Sequence, residues 1–171
     1  MTLTPQHSRF RLLVSLEVLF LGLDSSTRLS DDFIGILSRI LINSPRLETL
    51  KLASPLTSAF PPSEQQLTDN PIFKLLRSRP DRPHQFPPIT LLGISFTIKF
   101  ETRSRLTAGI IQSTAREMFR DLISSILADR TGAGARALTL SEPDECHVYE
   151  EEEMEWNAHL TLTAVSVDDS R

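Results

Sequence analysis

A chain of 171 residues and 19.2 kDa, 40% hydrophobic, is long enough for one domain of ordinary size and short for two. Its single cysteine, Cys146, excludes an internal disulfide framework, and its longest apolar run falls far below the ~18 residues of a membrane span. The formal net charge of -4 conceals an asymmetry: residues 141–171 carry ten acidic residues against Arg171 alone, while residues 1–140 carry 17 basic and 12 acidic ones.

Residues 10–23, FRLLVSLEVLFLGL, become β-forming toward their end, which predicts a strand over 16–23. Arg11 and Glu17 interrupt or flank this apolar run and no small-residue cleavage site follows. The stretch is therefore not read as a leader, and a cytoplasmic or nuclear protein is expected. Residues 29–42, LSDDFIGILSRILI, space Phe33, Ile36, Leu37, Ile40 and Leu41 along one helical face. Ser30 or Asp31 is the expected cap, and Asn43-Ser44-Pro45 the stop, because the residue before a proline is pushed out of the α region. In RLETLKLA, residues 46–53, a strand would set Leu50 and Leu52 on one side and Thr49 and Lys51 on the other. Residues 54–88 hold eight of the eleven prolines and read as a loop-rich insertion. One short helix interrupts it, capped by Asn70, with Pro71 in its first turn and Ile72, Phe73, Leu75 and Leu76 buried. A strand is expected over 89–100 and the clearest helix of the chain over 107–129, with Ile111, Ala115, Met118, Phe119, Leu122, Ile126 and Leu127 as its apolar stripe. Gly132 and Gly134 suit the helix exit. Short strands over 136–140 and 159–167 complete the series, with a solvated acidic stretch between them.

Two phrases share an L-x-x-L-x-L spacing: Leu16, Leu19 and Leu21, and 31 residues later Leu47, Leu50 and Leu52. Looser copies run from Ile89 through Leu92 to Ile94 and from Ala135 through Leu138 to Leu140. One strand–helix unit cannot bury its apolar side alone; stacked copies set parallel strands on one face and helices on the other. The stretch ILSRILINSPRLETLKLA, residues 36–53, resembles the irregular leucine-rich repeats of fungal F-box-like proteins. The resemblance implies an α/β fold: a short irregular leucine-rich-repeat solenoid over 1–140, with parallel strands on one face and helices on the other. The proline-rich stretch 54–88 reads as an insertion in it, and the acidic segment 141–171, with an expected strand at its end, follows it. It also implies a substrate-recognition role in a ubiquitin ligase. The F-box module itself is not recognised, since the first phrase starts close to residue 1. The Asn or Cys that regular repeats carry three residues after the last leucine is replaced by Asp24, Pro55, Thr97 and Pro143.

No residue pattern nominates a catalytic centre, a cofactor or a metal. The sequence lacks a G-x-S-x-G elbow and a phosphate loop, Cys146, His147 and His159 have no closed-site spacing, and Glu150 to Glu153 form a solvated run. Lys74, Arg77, Arg79, Arg82 and His84 make a basic patch without the interleaved aromatics that stack on nucleic acid bases. What remains is a non-enzymatic protein-binding scaffold with an unidentified protein partner and no membrane or nucleic-acid role. Its candidate contacts are Glu17, Phe20, Glu48, Thr49 and Lys51 on the repeat face and Trp156 in the acidic segment. Uncapped repeat ends would favour self-association. The alternatives are a small α/β domain with an unrecognised activity, or a partial repeat protein without independent function.

Overall fold

The computed structural model describes residues 10–20, 27–56, 60–77, 88–142 and 144–167. Six strands and four helices follow in the order β1 (Ser15–Leu19), α1 (Thr27–Ile42), β2 (Thr49–Leu56), α2 (Glu64–Asp69), α3 (Pro71–Arg77), β3 (Leu91–Glu101), α4 (Arg105–Gly132), β4 (Leu138–Leu140), β5 (Glu145–Glu152) and β6 (Glu155–Ser166). They form one mixed sheet in the order β1-β2-β3-β6-β4, with β5 beside β4 on the same outer side of β6. β1, β2 and β3 are parallel; β6 runs antiparallel to β3, β4 and β5.

Alternation along the strands decides which way each side chain faces. In β3, Leu92, Ile94, Phe96, Ile98 and Phe100 are buried while their sequence neighbours are not, and in β6 Ala158, Leu160, Leu162 and Ala164 are buried in the same rhythm. These residues share one core with Leu37 and Leu41 of α1, with Ile72, Phe73, Leu75 and Leu76 of α3, and with Ala115, Phe119, Ile123, Ile126 and Leu127 of α4. The helices therefore seal one face of the sheet. At its centre the rings of Phe73, Phe96 and Phe119 stack, with centroids 5.5 Å apart for the first pair and 4.6 Å for the second.

Local sequence explains most boundaries. α1 begins at Thr27, three residues ahead of the expected Ser30 cap, and ends where Asn43 and the buried Ser44 donate side-chain hydrogen bonds to the carbonyls of Arg39 and Ile40. α2 was not expected. Ser63 and Gln66 close a capping box at its start, with Ser63 Oγ accepting from the Gln66 N–H and Gln66 Oε1 accepting from the Ser63 N–H. Asn70 caps α3, its Oδ1 accepting from the Ile72 N–H at 2.9 Å.

The solenoid expectation does not hold, because a solenoid needs every strand parallel to the one before it. Here the sheet turns antiparallel at β3, where β6 enters beside it. The register also separates the two best-matched phrases. Leu16 lies opposite Leu50 and Val18 opposite Leu52, so Leu16 does not stack on Leu47. The looser phrase does stack on its neighbour: Leu50 pairs with Leu92 and Leu52 with Ile94. Leu138 and Leu140 join the far side of β6 antiparallel.

The acidic segment does not stand apart from the body either. It supplies β5 and β6, and β6 is an interior strand. The connection into β5 is anchored by Asp144, whose side chain is fully buried and accepts from Arg120 Nη1 at 2.7 and 2.8 Å and from Arg116 Nε at 3.1 Å. These charge-assisted bonds offset the cost of removing a carboxylate from water.

Adjacent residues on opposite faces should respond very differently to truncation. Phe96→Ala is expected to cost about 3–5 kcal/mol of unfolding free energy and Thr97→Ala about 1 kcal/mol or less, measured by urea denaturation of the two variants beside the parent chain.

Candidate functional site

The face of the sheet opposite the helices carries the residues that alternate with the core set. Across its middle run Pro55, Thr97, His159 and His147, cross-strand neighbours on β2, β3, β6 and β5. One step along lie Ala53, Ser95, Thr161 and Glu145. Glu17, Lys51, Gly93 and Thr163 form a third row. No helix among the described residues packs on this face, and its central side chains are half-buried by one another. At Gly93 the reason for the missing side chain is visible. A Cβ there would lie 3.2 Å from Cγ of Lys51, whose stem crosses the glycine.

Hydrogen bonds fix the centre of this surface. Ser95 Oγ and Thr161 Oγ1 are 3.1 Å apart, Thr97 Oγ1 lies 3.2 Å from Nδ1 of His159, and Thr161 Oγ1 is at 3.5 Å from its Nε2. Toward the β5–β6 turn, Glu151 accepts from Asn157 Nδ2 at 2.7 Å and from Lys99 Nζ at 3.3 Å. The Asn157 bond, then the Lys99 bond and charge, hold the Glu151 carboxyl below the usual carboxylate range. Asn157 is buried, and its Oδ1 has no hydrogen-bond partner among the described residues.

Chemically this is a set of donors and acceptors on a flat surface. Both nitrogens of His159 face hydroxyls, and among the described residues no carboxylate is bonded to the ring. Among the described residues no group of three or more His, Cys, Asp or Glu side chains is placed to hold a metal ion, and no helix is long and apolar enough to cross a membrane. The thiol of Cys146 lies on the helix side, half-buried, and burial pushes its pKa up.

The structure divides the six residues nominated from sequence. Glu17, Thr49 and Lys51 lie on the open face, with Glu17 opposite Lys51 on adjoining strands. Glu48 is exposed at the entrance to β2, where its carbonyl accepts from the N–H groups of Thr90 and Leu91. Phe20 is a core residue, 3% exposed, with its ring edge-on to Phe33 at 5.6 Å. It faces away from Lys51, so the two are not equivalent positions of adjacent repeats. Trp156 is likewise turned inward, 8% exposed, its indole N–H donating to the Thr102 carbonyl at 3.1 Å. Sequence reasoning missed Thr97, His159 and Thr161 as site residues. For the two β6 residues the signal was the alternation in HLTLTA, residues 159–164, whose polar positions share one face.

With the geometry in hand, comparison adds no relative: the chain matches no protein-family model, and no curated protein or solved structure is significantly similar to it.

Because the Glu151 carboxyl is depressed in the folded chain, its stabilising contribution is present above the ordinary glutamate range and lost as pH falls through its lowered value. Side-chain carboxyl NMR titration is expected to find Glu151 protonating below the ordinary glutamate range. In Asn157→Ala the Glu151 titration should move up toward the ordinary glutamate range.

Proposed function

We propose that this chain is a protein-binding scaffold that presents the uncovered face of its mixed sheet to a protein partner. The observation that carries the reading is the contrast between the two faces: one is sealed by helices, the other holds ordered hydroxyl, imidazole, amide and ammonium groups with no cover among the described residues. Groups already fixed by a rigid sheet lose little conformational freedom when a partner meets them, so more of the contact energy remains as affinity. Neither a cofactor nor a metal is needed for this role, and the single cysteine suits a cytoplasmic or nuclear setting.

Within this reading, a substrate-recognition role of the ubiquitin-ligase type is the narrower proposal. Its support is the likeness of residues 36–53 to F-box-like repeats, together with the stacking of Leu50 and Leu52 on Leu92 and Ile94 in the parallel half of the sheet.

The test compares affinity capture by the parent chain, by Thr97→Arg and Thr161→Arg on the open face, and by Glu117→Lys on the exposed side of α4. Partners recovered by the parent and by Glu117→Lys should fall about tenfold or more with the open-face variants, the equivalent of roughly 1.4 kcal/mol. Equal recovery by all four chains, each with a cooperative melting transition, would sink the assignment of the face.

A further inference from the structure

A second surface lies at the edge of the sheet, beside β5. In an antiparallel ladder, alternate residues turn their peptide groups toward the partner strand and away from it. The Cys146 carbonyl points outward, where Gln112 Nε2 of α4 donates to it at 2.9 Å. Val148 and Glu150 then turn their N–H and C=O groups to the same outer side, which no strand pairs among the described residues.

Between this edge and the first half of α4 runs a groove of about 560 Å³. Arg105, Gly109 and Gln112 of α4 form one wall, Val148 and Glu150 the other, and the inward-turned Trp156 contributes to its lining. Gly109 is a helix-interior glycine, which costs up to about 1 kcal/mol relative to alanine. Nothing lies within 4 Å of where its Cβ would be, so no packing contact in the chain requires a glycine there. The glycine leaves that part of the groove wall without a side chain.

The charges define the occupant. Arg103 and Arg105 flank the groove at the start of α4, and neither guanidinium has an ion-pair or hydrogen-bond partner among the described residues. The first turn of α4 has no acidic residue to meet them. A second copy of β5 is a poor occupant, because it would bring Glu145 and Glu150 to Glu152 against themselves. We propose that the outer edge of β5 takes an extended peptide of another protein as an added strand, with an apolar side chain toward Val148 and Trp156 and a carboxylate held by Arg103 and Arg105. Backbone pairing with Val148 and Glu150 supplies affinity, while the groove and the arginines supply selection.

A random decapeptide phage library panned on the full chain tests this, followed by anisotropy titration of the enriched peptide. The expected consensus places a carboxylate at a fixed spacing from an apolar residue. Binding should weaken about tenfold or more in the double variant Arg103→Glu/Arg105→Glu, and also in Gly109→Leu, which fills the groove from a helix position with open space around it. Thr97→Arg, on the open sheet face, should bind the peptide as the parent does, which separates this proposal from the one above. Slowed hydrogen exchange at the Val148 and Glu150 amides on peptide addition would complete the support. A basic consensus, no enriched peptide, or binding indifferent to Gly109→Leu would overturn it.

Discussion

The stack of Phe96 on Phe73 and Phe119 is the contact from which the rest of the architecture follows. It joins β3 to α3 on one side and to α4 on the other, with all three side chains fully buried. Three aromatic rings removed from water at one point make the helix-covered side the only side on which those helices can close the core. Once α3 and α4 are committed there, alternation commits the other half of every strand to the opposite side. The open face is thus a consequence of the core and needs no separate cause.

How much of this was legible in the sequence depends on which physical signal each element carries. α1, α3 and α4 were visible because three- and four-residue apolar spacing survives any tertiary arrangement. α2 was hidden among prolines, although its Ser63-x-x-Gln66 capping box stood in the sequence. β5 was obscured because glutamate is depleted in strands, yet Cys146 and Val148 alternate inward beneath that run of charge. The repeat phrases misled for a geometric reason. Leu16 and Leu19 are three apart, an odd step, so in a strand they face opposite sides; Leu16 turns toward the core, Leu19 is exposed, and Phe20 takes the inward place. In the second phrase Leu47 precedes the strand and is buried from the lead-in, leaving Leu50 and Leu52 to share one face. Identical spacing therefore met two different phases of alternation. The order of β6 between β3 and β4 is a long-range pairing, and no local signal encodes it.

The same partition gives the charged residues their places. Four acidic side chains from the last part of the sequence, Glu145 and Glu150 to Glu152, lie on β5 at an outer edge, where they discourage edge-to-edge association between copies of the chain. Asp144, whose side chain is fully buried, is met by Arg116 and Arg120 of α4. This fork ties α4 to the entrance of β5. The open face carries mixed polar groups with little net charge at its centre, and the edge carries strong charges of both signs at its two walls. Two surfaces of different chemistry therefore arise from one core.

The central claim is that helices seal one face of the sheet and that the other is left open by the described residues. Methyl NMR with a soluble gadolinium relaxation agent reads this directly. The account predicts strong relaxation of the Ala53, Thr97, Thr161 and Thr163 methyl groups and weak relaxation of those of Ile94, Ile98, Leu160 and Leu162, residues that alternate with them on the same strands. Equal protection of the two sets would mean that the face is covered, and would contradict the account.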